Sequence, residues 1–324
     1  MVGTRAPALV AVLGPTGSGK SALGLALAER FGGEILSCDS AAVYRGFDIG
    51  TDKLPPAARR GIPHHLVDVA DPRESYTAAR FARDAAEAVR AIHERARLPL
   101  LVGGTGFYYR ALTRGLFPGP SRDDRIRDRL RQVAARRGTP FLHRMVSRVD
   151  PASGRRILPG DQVRLVRALE VYFLTGRPLT AHFADTVSPL PGVDVIGLLL
   201  QVASAELHER IAARVADQFA RGWVDEVRGL LASGVPRDAH PFGALGYRQL
   251  LDHLDGTRDE RATRELIVAE TRRYARRQLI WFRKEPNLEL IPGPGERGTA
   301  IAAATRAVAR RLPGAGCACD EETP

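Results

Sequence analysis

The sequence predicts an α/β fold: a parallel sheet flanked by helices, with an all-helical domain inserted into it. Three observations carry this. A short, wholly apolar run over residues 8–13 leads straight into a glycine-rich loop and then into a stretch of helical period. Similar runs recur at residues 34–37, 98–102 and 194–202, each ending where polar or glycine residues begin. Between residues 116 and 190 this rhythm stops and only helical candidates remain. Buried strands alternating with helices are the pattern of a parallel sheet. The helix-only stretch is then an insertion.

In chain order, the run at residues 8–13 has the continuous apolar character of a strand buried on both faces. It ends in Gly14-Pro15-Thr16-Gly17-Ser18-Gly19-Lys20-Ser21, which matches the phosphate loop G-x-x-x-x-G-K-[ST] at every fixed position. Leu23, Ala26 and Leu27 follow at helical spacing, so the motif has its strand, loop and helix context. The context weighs against a glycine turn that merely closes a strand-helix unit, and the fold is read as P-loop NTPase-like. Glycines let backbone N–H groups converge on phosphate oxygens at a helix N-terminus, Lys20 adds a point charge, and Ser21 can hold Mg²⁺. The run at 34–37 leads to Asp39, and the run at 98–102 leads to Gly103-Gly104-Thr105. Asp39 and Thr105 therefore belong at the carboxyl ends of strands beside the loop, where ligands bind in open α/β sheets.

Pro118 and Pro120 open the insertion, Pro189 and Pro191 close it, and helices are expected over residues 122–137, 139–149 and 161–175. Residues 205–233 read as one long amphipathic stretch, and residues 265–284 as a second basic helical segment carrying Tyr274, Trp281 and Phe282. Aromatics at that spacing are read as core before base-stacking platforms. The domain map is a discontinuous core of residues 1–115 and 191–313, the insertion at 116–190, and a flexible tail at 314–324.

Composition narrows the class. The chain has 324 residues, 44% hydrophobic and 26% charged, without a low-complexity tract, which excludes a disordered protein. No window approaches the roughly 18 apolar residues of a bilayer span. Three cysteines, Cys38, Cys317 and Cys319, are too few for a disulfide framework, so a reducing cytoplasm is expected. The pair Cys317 and Cys319 is read as an inert part of the tail, and adjacent His64 and His65 as structural. The net charge is +11, from 48 Lys+Arg against 37 Asp+Glu. It is concentrated: residues 119–182 hold fourteen arginines and six acids, and residues 270–284 six bases and one acid. A solvated face is the ordinary reading of one charged helix. This concentration favours nucleic acid.

Taken in order, several stretches resemble the bacterial tRNA dimethylallyltransferase family: the phosphate loop, Asp39-Ser40-Ala41 with Val43-Tyr44, Asp48-Ile49-Gly50-Thr51 with Lys53, Pro63-His64-His65-Leu66, Leu101-Val102-Gly103-Gly104-Thr105, residues 164–170, Gly246-Tyr247-Arg248-Gln249, and Arg276-Arg277-Gln278 with Trp281. The resemblance implies transfer of a dimethylallyl group from dimethylallyl diphosphate to N6 of the adenosine immediately 3′ of the anticodon, with Mg²⁺. It implies that the loop residues Gly14 to Ser21 clamp the diphosphate, Asp39 is the general base, Thr105 hydrogen-bonds near the scissile oxygen, and Arg214 contacts the diphosphate, with Arg210 one turn away. The tRNA anticodon stem-loop would be met by Asp39, Ser40, Ala41, Ala42 and Thr105, and by Arg127, Val163, Arg164, Leu165, Val166 and Arg167. Many relatives carry glutamine where this chain has Val163. A monomer needing no membrane and no obligatory protein partner is expected. The residues alone leave other readings open: Asp39 as a metal-holding carboxylate, a small-molecule kinase with the loop as its ATP site, prenyl transfer to free adenine nucleotides, or an RNA-binding protein using the loop as a nucleotide switch.

Overall fold

The strand β1 (Ala8–Leu13) is buried along its whole length, and its side chains part to opposite faces as the pleat requires. Leu9, Ala11 and Leu13 join one apolar core, while Ala8, Val10 and Val12 join another. The protein is thus layered, with helices covering both faces of a sheet. The computed structural model describes residues 7–312; the expected tail and Cys317 and Cys319 lie outside the described residues.

After the phosphate loop come α1 (Lys20–Phe31), β2 (Gly33–Cys38), the two-residue β3 (His64–His65), α2 (Ala78–Glu94), β4 (Leu98–Gly103) and α3 (Gly106–Arg114). The chain then builds a helical unit from α4 (Asp124–Arg137), α5 (Thr139–Val149), α6 (Pro151–Arg156) and α7 (Gln162–Thr175). It returns through β5 (Asp194–Gln201), α8 (Ser204–Ala220), α9 (Trp223–Ala232), α10 (Tyr247–Leu254), α11 (Glu260–Phe282), β6 (Leu288–Pro292) and α12 (Gly298–Arg311). By internal contacts the chain divides into two compact units, one formed by the residues up to Thr113 and from Leu190 onwards, the other by Arg114–Pro189.

The sheet order is β3-β2-β4-β1-β5-β6, and every pairing is parallel. This order places the carboxyl ends of β2, β4 and β1 side by side. Leu13 of β1 and Cys38 of β2 both pair with Gly103 of β4, so the loops that follow all three strands emerge together. A Cβ on Gly103 would collide with the Cys38 carbonyl, which explains glycine at this junction. α1 and α12 cover one face through Leu23, Leu27, Ala304 and Val308, and α2, α8 and α9 contribute to the core on the other.

Two strands escape sequence reading. β3 is only two residues long, and β6 buries only Ile291 fully, so neither shows a run or an alternation. The stretch at 205–233 is not one helix but two: Gly222, at φ +88°, breaks it between α8 and α9. In the helical unit, Leu130, Leu142, Val146, Leu165 and Leu169 build a separate small core. Asp123, Asp150 and Asp161 cap α4, α6 and α7 by accepting the amides of Ile126, Ser153 and Arg164, the ordinary role of aspartate at a helix start.

Candidate active site

The phosphate loop turns on Gly17 and Gly19, both left-handed at φ +80° and +82°, a conformation that costs other L-residues strain. No side chain caps the start of α1, so its first amides stay available to an anion. The Lys20 ammonium donates to the Pro15 carbonyl (2.7 Å), which folds it back over the loop. Three distant side chains brace this loop. Gln278 accepts the Thr16 N–H (2.9 Å) and donates to the Gly104 carbonyl (2.8 Å), Arg210 donates to the Gly17 carbonyl (2.7 Å), and Glu296 holds Arg210 (2.5 Å).

Asp39 stands just past β2. One carboxylate oxygen accepts the amides of Ala41 (2.8 Å) and Ala42 (3.1 Å), so the side chain is oriented by its own turn. The Thr105 hydroxyl accepts the Ser40 N–H (3.2 Å), and the Thr105 amide donates to the Cys38 carbonyl (3.1 Å). Thr105 thereby locks the Asp39 turn to the end of β4.

A cavity of about 490 Å³ opens at these strand ends. Thr16, Lys20, Ser21, Asp39, Ser40, Ala41, Ala42 and Arg214 line it; at the β4 end its wall is Gly103 and Gly104 rather than Thr105. Arg214 and Arg210, alternatives in the sequence, are separated by the fold: Arg214 reaches the cavity with its Nε 3.5 Å from Asp52, whereas Arg210 supports the loop. Burial, reinforced by the Arg214 charge and opposed by Asp39, brings the Lys20 ammonium down to about 8. An oxyanion in this cavity would relieve that cost.

The cavity also takes Tyr274, which the sequence reads as core, and Arg277, which it does not place in the site. Tyr274 and Arg277 come from α11, with the Arg277 guanidinium 5.8 Å from the Tyr274 ring centre. Burial, with the nearby Asp39 charge, pushes the Tyr274 hydroxyl up to about 12, so it stays protonated. The Arg276-Arg277-Gln278 motif was the signal available for these. The other aromatics of α11 are packing: Phe282 is buried, and Trp281 lies under Arg110 at 4.5 Å. His65 pairs with Glu34 (2.7 Å) and His64 with the Ile62 carbonyl (2.9 Å); His64 also lines the cavity.

In the helical unit the candidate RNA residues separate sharply. Leu165 and Val166 are 0% and 5% exposed and belong to the core, which corrects the expectation for their side chains. Helical period turns them inward while Val163 and Arg164, 81% and 75% exposed, face out. Arg127 and Arg167 are committed inside the unit. Both bind the fully buried Glu170, Arg127 through two bonds of 2.8 and 2.9 Å and Arg167 through one of 2.7 Å. Burial alone would raise the Glu170 carboxyl, but these bonds and the Asp123 amide bring it down to about 2.

Among the described residues no group of three or more His, Cys, Asp or Glu side chains is placed to hold a metal. Magnesium asks less, because it keeps several waters and takes one or two protein oxygens beside substrate phosphates. The Ser21 hydroxyl, on the cavity wall beside Lys20, fits that requirement. No helix of the described residues is long and apolar enough to cross a membrane.

Comparison with known proteins finds one family. A family model described as IPP transferase matches residues 42–285. The tRNA dimethylallyltransferase of Solibacter usitatus is 50% identical over 280 residues, covering 86% of this chain and 91% of that one. That of Geobacter sulfurreducens is 44% identical over 286 residues, covering 88% and 92%. Among solved structures, the tRNA isopentenylpyrophosphate transferase of Bacillus halodurans superposes with a TM-score of 0.69 at 35% identity, covering 94% of this chain and 96% of that one. A eukaryotic dimethylallyltransferase acting on tRNA gives 0.76 at 26% identity, with 94% and 78% covered.

Proposed function

The chain belongs to the IPP transferase family, and from that premise we propose that it transfers a dimethylallyl group from dimethylallyl diphosphate to N6 of the adenosine immediately 3′ of the anticodon in tRNA. The observation that carries the reading is one cavity lined by Lys20, Arg214 and Asp39 at the meeting point of three strand ends. It offers cations for a leaving diphosphate and a carboxylate for an incoming amine.

In this reading the N6 amine forms a bond to the allylic carbon while the carbon–oxygen bond to the diphosphate breaks. The amine proton passes to Asp39, whose second carboxylate oxygen makes no hydrogen bond among the described residues. An exocyclic amine is a weak nucleophile, so a carboxylate within reach is the activation required. Charge develops on the diphosphate as the bond breaks; the α1 amides, Lys20 and Arg214 are in place before it does, which is the condition for electrostatic stabilisation. Mg²⁺ held by Ser21 would neutralise part of that charge. Thr105 acts through the Asp39 turn. The target adenine must leave its stack to reach a cavity of this kind, and the helical unit grips the anticodon arm. A cytoplasmic location follows from that substrate.

The test is incubation with labelled dimethylallyl diphosphate and either bulk tRNA or AMP, followed by nucleoside analysis. Label in adenosine from tRNA alone is the expected result. Label in AMP would assign a free-nucleotide substrate, and label in neither would remove the reading.

A further inference from the structure

The fold pairs some arginines of the helical unit and leaves others, Arg125 and Arg129 among them, exposed and in no ion pair among the described residues. Arg122, Arg127, Arg131, Arg164, Arg167 and Arg177 each pair with a carboxylate of the same unit. Residues 133–158 are different: they carry six arginines, at 136, 137, 144, 148, 155 and 156, and a single acid, Asp150. That acid neutralises none of them. Asp150 is 2% exposed, and its oxygens are taken by the amide and hydroxyl of Ser153 and of Thr180. All six arginines are exposed, and none is in an ion pair among the described residues.

Three of these guanidinium groups also rest on aromatic rings. Arg137 and Arg144 stack on the same ring, Phe141, with their central carbons 4.9 and 5.4 Å from its centroid, and Arg148 follows Arg144 by one turn on α5. A third, Arg156, lies 5.4 Å from the Phe183 ring centroid. A stacked guanidinium keeps its in-plane N–H donors free for a phosphate while its orientation is fixed in advance. Last-turn positions on α4, α5 and α6 explain why the fold tolerates five of the six. They do not explain two like charges on one ring, neither of them in an ion pair among the described residues, and Arg144 is not in a last turn.

We propose that this face, centred on Arg137, Phe141, Arg144 and Arg148, is the surface on which the helical unit holds the phosphodiester backbone of its RNA. It is separate from Arg127 and Arg167, which the fold spends on Glu170. The proposal rests on the tRNA reading above for the identity of the RNA, while its physical content is phosphate contact without base readout. Such contacts release counterions, so each one lost makes the dependence of affinity on salt shallower by a predictable step.

The experiment measures tRNA affinity from about 50 to about 300 mM KCl for three proteins: the parent, Arg144→Gln with Arg148→Gln, and a charge-matched control, Arg90→Gln with Arg306→Gln, whose arginines are exposed on α2 and α12. The first variant is expected to bind at least about fivefold more weakly at low salt, with the slope of log affinity against log salt shallower by about 1.5. Its melting temperature and its KM for dimethylallyl diphosphate should match the parent's. A slope equal to the parent's, or an equal loss in the control, overturns the proposal. So does unchanged tRNA binding with lost affinity for poly-glutamate, which would assign the face to an acidic protein. Prenyl transfer by the parent, run in parallel, separates the two readings: a parent that binds tRNA through this face but transfers nothing refutes the function and leaves the surface standing.

Discussion

The α/β unit and the helical unit use the same residue types to opposite ends. Around the cavity a few charges of both signs, Lys20, Arg214 and Asp39, are gathered at strand ends, close enough that burial and the Arg214 charge bring the Lys20 ammonium down to about 8. In the helical unit arginine is abundant, and its role depends on where the fold leaves an acid. Beside Glu170 it is an internal brace; over residues 133–158 it is an unneutralised surface. Charge counting finds the unit in which arginine is concentrated. It does not find which of those arginines the fold leaves unpaired.

The contrast can be broken most severely at Asp39. Asp39→Asn keeps the shape of the turn and removes the base, so transfer should fall by about 10²- to 10⁴-fold while tRNA affinity stays within a few-fold of the parent. Near-normal turnover would end the base assignment. Next comes the helical unit's own buried charge. Glu170→Gln strands Arg127 and Arg167 and should cost about 3–5 kcal/mol, read by denaturant unfolding, with diphosphate binding retained by the other unit.

The same group has a pH signature. Because the folded Glu170 sits at about 2 against an ordinary 4.5, its stabilisation is complete above about 4.5 and drains as pH falls from there towards 2. Acid titration of helicity should show that loss in the parent and a flatter profile in Glu170→Gln. On the cavity side the sign is reversed. Lys20, at about 8, is charged below that pH and must take up a proton to meet an anion above it, so diphosphate affinity should hold up to about pH 8 and then weaken by up to about tenfold per unit. Lys20→Met should lower affinity throughout and abolish the slope.

Smaller effects sharpen the division. Gln278→Leu leaves the Thr16 amide and the Gly104 carbonyl without their partner, a loss of about 1–3 kcal/mol that should raise the KM for the diphosphate and leave tRNA affinity alone. Smallest is the pair Arg164→Ala and Arg167→Ala, taken singly. Arg164, exposed and tied only to Asp161, should weaken tRNA binding about two- to threefold without moving the melting temperature, whereas Arg167, on buried Glu170, should lower the melting temperature first. Identical behaviour in the two variants would erase the distinction between brace and surface.

Much of this was legible before any fold was known. The phosphate loop is a local motif whose physics lies in glycine torsions and helix amides, so eight consecutive residues suffice to place it. Asp39 and Thr105 were legible because each follows an apolar strand, and parallel sheets put strand ends on one edge. The break at Gly222 was hidden because amphipathic period continues across it, and β6 because an edge strand burying chiefly Ile291 shows no alternation.

The sequence by itself determined the α/β class, the anion loop, the inserted helical segment and the sign of its charge, since each depends on neighbours along the chain. Only the tertiary structure decided which of Arg210 and Arg214 meets the cavity, that Gln278 of α11 reaches back to the phosphate loop from 262 residues away, and which arginines Glu170 consumes. Those outcomes depend on where distant segments meet, and an arginine's spacing along a helix does not reveal whether the fold has placed a buried carboxylate opposite it.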